Sequence, residues 1–122
     1  MRWFAAVLVV LLSWSGVAAA AEVLQVRGPT LLQLGDQNRS YTVELACIAV
    51  PEARQERALE WLRQAVPRHS RVNLRPMGQN QGVLLARVQK IGVADDLGAG
   101  LIAAGLAETD ATAPGDCARV SF

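Results

Sequence analysis

Histidine is almost absent from this chain, since His69 is the only one in 122 residues. A metal site built from several histidines is therefore excluded. His69 stands among Arg68, Ser70 and Arg71, and this polar setting predicts a solvated side chain at the start of a strand. A glycine-rich phosphate loop and the elbow motif of serine hydrolases are also absent, so neither of these chemistries is indicated.

An excess of charge of either sign is also lacking. Twelve Arg and Lys face eleven Asp and Glu, for a formal net charge of +1. One of the twelve, Arg2, lies in the first 21 residues, so residues 22–122 balance at eleven of each sign. Bulk electrostatics therefore gives no reason to expect binding to nucleic acid or another polyanion.

Acidic residues are missing from the stretch between Trp61 and Ala94, whereas both flanking stretches contain several, so we expect a dipolar molecule. The cations of this stretch are a candidate surface for an acidic protein or for lipid headgroups. In the alternative interpretation they are solvated charges paired with acids such as Glu56 and Glu60. The candidate binding residues are Arg63, Arg68, Arg71, Arg75, Arg87 and Lys90.

Long apolar runs are confined to the start of the chain. Arg2 precedes an apolar run at residues 3–12, which is shorter than the ~20 residues of a membrane-spanning helix, and a tract of small residues follows. We predict a signal peptide at residues 1–21, cleaved after Ala20 or Ala21, with an uncleaved anchor as the alternative. The mature chain, without a transmembrane segment, is then exported to the periplasm, the extracellular space or another oxidising lumen.

Cysteine is scarce as well, because Cys47 and Cys117 are the only two. In an exported chain they permit one intramolecular disulfide, which we predict. Two free thiols, with Cys47 buried as a small apolar residue, are the alternative. The disulfide would close a loop of roughly 70 residues, for which the chain-entropy model gives about 4 kcal/mol of stabilisation.

Short segments of alternating apolar and polar residues predict a mainly β protein. Tyr41, Val43, Leu45 and Cys47 alternate with polar or small residues, which indicates a strand with one buried face and with Glu44 pointing away from the core. Gly and Pro clusters bound the other segments. The further predictions are strands at 22–26, 30–34, 70–74 and 82–91, a turn at 35–38, and a long polar loop at 75–81.

Two helices are predicted. In residues 53–66 apolar side chains recur at helical spacing opposite charged ones. Pro51 and Glu52 suit the first turn, where a missing N–H costs little and a carboxylate meets the positive end of the helix dipole. Residues 95–107 predict a second helix. Its glycines weaken it, so we expect it to pack closely against the barrel.

The order of strands, helix, strands and helix predicts a five-stranded, partly open barrel of the oligonucleotide- and oligosaccharide-binding (OB) type. We place this domain at residues 22–108 and a loose tail, tied back by the disulfide, at 109–122. About 100 residues suffice for one core and no second module. A mixed sheet with both helices on one side is the alternative.

Residues 41–52 resemble the segment of staphylococcal-nuclease-like proteins in which a barrel strand runs into a Pro-Glu turn and then a helix. The resemblance implies the OB-type barrel and, in active members, calcium-dependent hydrolysis of phosphodiesters. It extends from Val23 to Glu108 through Arg27-Gly28, Val50-Pro51-Glu52, Gly82 to Val88 and Gly105-Leu106-Ala107.

Active members of this family hold calcium with two aspartates and a backbone carbonyl, bind the phosphate with two arginines, and place a glutamate after the proline. Calcium needs hard oxygen ligands, and guanidinium groups pair with two phosphate oxygens at once. Here the aspartate positions carry Pro29 and Ala49, and the arginine positions carry Glu44 and Val83. Only Glu52 is retained as a candidate catalytic residue, and its other interpretation is an acid at a helix N-terminus.

The reversed charge at Glu44 opposes the family's chemistry. Two unit charges about 5 Å apart interact by roughly 3 kcal/mol at an effective dielectric near 20, so an attraction to phosphate becomes a repulsion. We therefore predict a non-catalytic binding or scaffold module without a cofactor. One alternative is nucleic-acid binding, although the chain has few aromatic residues on which bases could stack. The other is a nuclease that uses calcium.

Overall fold

The computed structural model of the protein describes residues 20–115 and Cys117. Residues 1–19 of the predicted signal peptide lie outside this range, as do Asp116 and residues 118–122 of the predicted tail. The elements are β1 (Ala21–Val26), β2 (Leu31–Asp36), β3 (Arg39–Leu45), β4 (Ile48–Ala49), a 3-10 turn (Glu52–Arg54), α1 (Gln55–Ala65), β5 (Arg71–Asn80), β6 (Val83–Lys90), α2 (Leu97–Ala103) and β7 (Glu108–Thr109).

Five strands form a closed barrel in the order β1-β2-β3-β6-β5, with β5 pairing back onto β1. The pairs are antiparallel except for β3 and β6, which run parallel. Along the chain, β3 is followed by β4 and then by the helix α1, which leads into β5. Leu32, Leu34, Val43, Val72 and Val88 fill the interior. The predicted OB-type barrel is confirmed, although it is closed and not partly open, and the alternative of a mixed sheet with both helices on one side is wrong.

The long polar loop predicted at 75–81 is wrong. β5 continues through this segment to a two-residue turn, Gln81-Gly82, in which both residues have positive φ (52° and 81°). Such a turn matches the twist of a tight hairpin. The strand passes Pro76 because the register with β6 shifts between Pro76 and Gly78, and a bulge tolerates a missing N–H.

The strand β3 ends earlier than the alternation predicts. It stops at Leu45, and Ala46 and Cys47 form a turn in which Cys47 has φ of +65°. Both turn residues are buried in the core. They are apolar because the turn itself is buried, and not because the strand continues through them. The predicted turn at 35–38 also narrows to Gln37 and Asn38, because β2 extends to Asp36.

The second helix is shorter than predicted. It begins at Leu97, with Asp96 as its N-cap, and ends at Ala103. Gly105, with φ of +74°, lies past its end, where the amide of Leu106 donates to the carbonyl of Leu101. A left-handed glycine at this position is the usual way to finish a helix.

The glycine Gly100 explains how the two helices approach each other. A Cβ placed there would lie 2.5 Å from Cη2 of Trp61, on α1. The close neighbour of Gly100 is therefore the other helix, whereas the sequence pattern predicts the barrel in this role. In the described part of the chain, no helix has the length and apolar character needed to cross a membrane.

The C-terminal segment, which we define as residues 108–115 with Cys117, is more ordered than the predicted loose tail. Its strand β7 pairs with β4, and the amide of Asp110 donates to the carbonyl of Cys47 at 2.8 Å. The predicted disulfide between Cys47 and Cys117 is confirmed. The alternative of two free thiols is wrong.

Candidate functional site

The positions that correspond to the nuclease-like site lie around the end of β3. Glu44 is half-buried and sits between Leu31 of β2 and Leu85 of β6 in the barrel register. The amide of Leu45 donates to the carbonyl of Thr30 at 2.8 Å, which brings the loop containing Pro29 beside this strand end. The structure thus places a carboxylate where the resemblance implies a phosphate-binding arginine.

The other family positions offer no cation ligand. Ala49 is exposed in β4 and pairs with Glu108, and Val83 begins β6. Glu52 is exposed in the first turn after Pro51, where an acid suits the helix dipole. Of the family's charged set, Glu52 alone is retained in the sequence, and its catalytic role stays a prediction.

A cavity of about 370 Å³ opens beside Glu44, and we refer to it as the β3 cavity. The C-terminal segment forms one wall of it and contributes a second carboxylate, that of Asp110. Among residues 20–115 and Cys117, no Arg or Lys belongs to its lining, which consists of Glu44, Leu45, Ala46, Cys47, Ile48, Asn80, Leu85, Asp110, Thr112, Ala113 and Pro114. The β3 cavity is therefore anionic.

The carboxylate of Asp110 is held in its charged form by local hydrogen bonds. It accepts from the hydroxyl of Thr112 at 2.7 Å and from the amide of Thr112 at 3.0 Å. These bonds, the hydroxyl bond first, lower the pKa of Asp110 below its ordinary value. The negative charge of the cavity wall therefore persists to lower pH than that of an ordinary aspartate.

The calcium ion of the nuclease family does not fit these residues. Nowhere in residues 20–115 or at Cys117 do three or more His, Cys, Asp or Glu side chains cluster closely enough to hold a metal. The family's calcium site uses two aspartates, and the corresponding positions here, Pro29 and Ala49, have no side-chain oxygen to offer as a hard ligand. We derive no step through calcium for this chain.

Arg87 is committed to a structural ion pair. Its Nε donates to Oδ2 of Asp96 at 2.7 Å, and its Nη2 contacts the same oxygen. The other oxygen of Asp96 accepts from the amide of Ala99 at 2.8 Å and so caps α2. The side chains are only 19% and 9% exposed, respectively. An aspartate directly before a helix is a recognisable N-cap signal, but its contact with Arg87 could not be found from the sequence.

The remaining predicted binding cations are divided among two separate grooves and the end of the barrel where β5 pairs with β1 and β6. Arg75 lies opposite Arg87 in the register of β5 and β6, beside a groove of about 380 Å³ that also includes Asp95 and Asp96. Arg63 and Arg68 line a separate groove between α1 and β1. Lys90 donates to the carbonyl of Ala65 at the end of α1. Arg71 lies opposite Glu22 in the strand register of β5 and β1.

His69 is exposed, as the sequence predicts, but it is not simply solvated. Its Nδ1 contacts the carboxylate of Glu22, and its backbone amide donates to the carbonyl of Val23 at 2.7 Å. Its backbone has φ of +75°. These contacts join β1 to the start of β5, so the role of His69 in the described structure is to close the barrel.

A second concave site, which we call the barrel mouth, was not found from the sequence. It has a volume of about 420 Å³ and combines apolar Leu74 and Leu84 with the polar side chains of Asp36, Arg39 and Tyr41. Burial and, to a smaller extent, the carboxylate of Asp36 raise the pKa of Tyr41, against the opposing effect of Arg39. Strand pairing alone brings these residues together, so no local pattern marks them.

A scan against protein-family models finds no match for this chain, and a search of curated proteins finds none. The fold and the residues of the sites therefore carry the functional argument. The relation to staphylococcal-nuclease-like proteins stays a prediction based on the residues quoted above.

Proposed function

We propose that this protein is an exported, non-catalytic binding or scaffold module, built on an OB-type barrel of the staphylococcal-nuclease-like kind. The observation that supports this proposal is the sign of the β3 cavity, where Glu44 and Asp110 supply negative charge and no cation from the described part of the chain lines the wall. A phosphodiester gains negative charge in the transition state of hydrolysis, so a productive site needs cations or donors there.

The wall formed by the C-terminal segment strengthens the argument. Asp110 adds a carboxylate that the family's active set does not include. Losing one preorganised donor typically costs about 10² to 10³ in rate, and here one arginine position carries the opposite charge of Glu44 and the other carries the neutral Val83. Residual hydrolysis by the family mechanism should be negligible.

Export is supported by the disulfide between Cys47 and Cys117. Structural disulfides persist in oxidising compartments and are rare in the cytosol. The predicted signal peptide at residues 1–21 is consistent with this, so we place the module in the periplasm, outside the cell or in another oxidising lumen.

A nuclease assay tests the proposal directly. Purified residues 22–122 would be incubated with DNA and RNA in calcium, with and without a chelator, beside an active member of the nuclease family. We expect acid-soluble nucleotides only from the active enzyme. Calcium-dependent release by this chain, abolished by the chelator, would overturn the proposal.

Binding to single-stranded oligonucleotides separates a scaffold module from a nucleic-acid binder. We expect no binding at low salt, because residues 22–122 carry balanced charge and the β3 cavity repels phosphate. An affinity that is measurable at low salt and falls steeply as salt is added would instead favour nucleic-acid binding.

A further inference from the structure

Two apolar side chains protrude together at one end of the barrel. Ile91 and Val93 are the large apolar residues that stay exposed in the described part of the chain, at 49% and 48%. They flank Gly92, which has φ of +93°, in a turn closed by a bond from the amide of Val93 to the carbonyl of Lys90 at 3.1 Å. We call residues 90–93 the Ile91 turn. Single exposed apolar residues are common, but a pair on one tight turn is a small contiguous patch.

This turn includes one cation and lies beside another. The amide of Ile91 donates to the carbonyl of Arg71 at 3.0 Å, so the exposed Arg71 is its direct neighbour. Lys90 belongs to the turn, and Arg68 lies three residues before Arg71. The nearby acids are Glu22, whose carboxylate contacts His69, and the exposed Asp95. The local balance is therefore positive.

The start of the barrel lies at the same end. Ala21 pairs with Val72 and Glu22 with Arg71, while Val72 also pairs with Lys90. The covalent connection to the apolar sequence 3–12 therefore leaves the barrel beside the Ile91 turn. If the predicted cleavage occurs, it leaves an α-ammonium group here, which adds to the positive charge.

We propose that the Ile91 turn, with Arg68 and Arg71, docks this domain onto the surface of a bilayer that contains anionic lipids. The apolar pair would enter the boundary between headgroups and acyl chains, and the cations would pair with headgroup charge. This inference deepens the proposed binding function and rests on it. It commits to a lipid surface, because an exposed apolar pair beside cations combines side chains that can enter the acyl boundary with charges that pair with headgroups, whereas an acidic protein would need only the charges.

Vesicle co-sedimentation tests the proposal. Purified residues 22–122 would be mixed with vesicles of phosphatidylcholine alone and with vesicles that contain about one third phosphatidylglycerol. We expect partition onto the anionic vesicles only, weakened by added salt. The double variant I91S/V93S and the variant R71Q should each lower the partition coefficient about tenfold or more, which is about 1.4 kcal/mol per factor of ten.

Two control variants match these changes away from the Ile91 turn. R57Q removes an exposed cation on α1. Arg57 lies eight residues before Ala65, the residue that Lys90 contacts, and is therefore about 12 Å away along the helix. A103S makes an exposed apolar residue polar. Both should bind vesicles like the unaltered protein. Arg71, Ile91 and Val93 are all exposed, so the variants should retain the fold. Circular dichroism would confirm that every variant is folded.

The outcomes are distinguishable. Absence of partition onto anionic vesicles, or partition that I91S/V93S and R71Q leave unchanged, would overturn the lipid proposal while leaving a non-catalytic module standing. Binding to polyglutamate without binding to vesicles would overturn it in favour of an acidic protein partner. Calcium-dependent hydrolysis in the nuclease assay would overturn the proposed function itself, whatever the vesicles show.

Discussion

Individual side chains set the electrostatic character of the two concave sites. In the β3 cavity, Glu44 and Asp110 leave a phosphate without a partner. At the barrel mouth, Tyr41 lies between Asp36 and Arg39 beside apolar Leu84. Both sites accommodate small polar groups, but only the barrel mouth offers a cation and an apolar wall together, so it is the better place for an organic ligand.

Tyr41 gives a direct spectroscopic test, because it is the only tyrosine in the chain. Burial and Asp36 raise its pKa above the ordinary value of 10.0. Its contribution to stability is therefore complete below the unfolded pKa of about 10 and is lost as pH rises through the folded value. Ultraviolet titration of tyrosinate should show the raised pKa, and D36N should lower it towards the ordinary value. A folded protein whose Tyr41 titrates at the ordinary value would contradict this.

Asp96 combines two roles that conservative variants can separate. D96N keeps an acceptor for the amide of Ala99 but removes the charge facing Arg87, whereas D96A removes both. We expect D96A to lower the free energy of unfolding by about 2 kcal/mol and D96N by about half of that. Urea denaturation of the three proteins measures this. Equal losses in the two variants would show that the ion pair, and not the cap, provides the stabilisation.

The helix pair depends on the missing side chain at Gly100. Helix propensity alone predicts that G100A would stabilise α2 by up to about 1 kcal/mol. Because the added Cβ would lie 2.5 Å from Trp61, we instead expect a net loss of about 1 to 2 kcal/mol in thermal or urea denaturation. In a W61L background the same change should become neutral or stabilising. A stabilising G100A in the unaltered protein would show that the ring moves aside freely.

Sequence periodicity predicted the strands and helices in which buried residues recur at regular spacing. The alternation around Tyr41 and Val43 and the helical spacing of Ala58 and Leu62 both match the observed burial. The pattern failed at Pro76, where a bulge lets a strand pass a residue that is typical of loops.

Features set by contacts distant in sequence could not be predicted in the same way. The closure of β5 on β1 and the position of Asp110 beside Glu44 depend on how the strands and the C-terminal segment come together. Residues near the end of the described chain form one wall of the β3 cavity. No spacing in the sequence predicts this arrangement. The resemblance supplied the candidate positions at Glu44 and Ala49, whereas only the structure supplied their neighbours.

The C-terminal segment owes its position to the disulfide. Its strand β7 has only two residues, so the bond between Cys47 and Cys117 is the main restraint, across a sequence separation of 70 residues. We expect reduction, or the variant C47A/C117A, to lower the free energy of unfolding by about 4 kcal/mol. Urea denaturation with and without reductant measures the difference, and reductant should not affect C47A/C117A. Equal stabilities of the oxidised and reduced protein would contradict the prediction.

At the scale of the whole molecule, the barrel has one short seam. β1 pairs with β5 only at Ala21 and Glu22, extended by backbone bonds of Val23 and His69, whereas β5 and β6 pair along nearly their full length. A barrel opens most easily where the fewest bonds must break. The seam is therefore the place where we expect partial unfolding to begin.

Amide hydrogen exchange measured by NMR tests the weakness of this seam. The amides of Val23 and His69 should open with a smaller free energy than those in the β5 and β6 pairing. E22Q, which weakens the contact of Glu22 with His69, should speed exchange at the seam and leave the hairpin unchanged. Uniform protection of both regions would indicate that the barrel opens only as a unit.

The position of Cys117 also constrains the order of maturation. All five barrel strands are complete by Lys90, so a chain that emerges from its N-terminus presents Cys47 well before its partner. The native bond of Cys47 can form only once Cys117 is present, when all five barrel strands are already available to pair. We therefore expect oxidation to follow barrel assembly, so a folded but reduced form should accumulate when the oxidant is withheld.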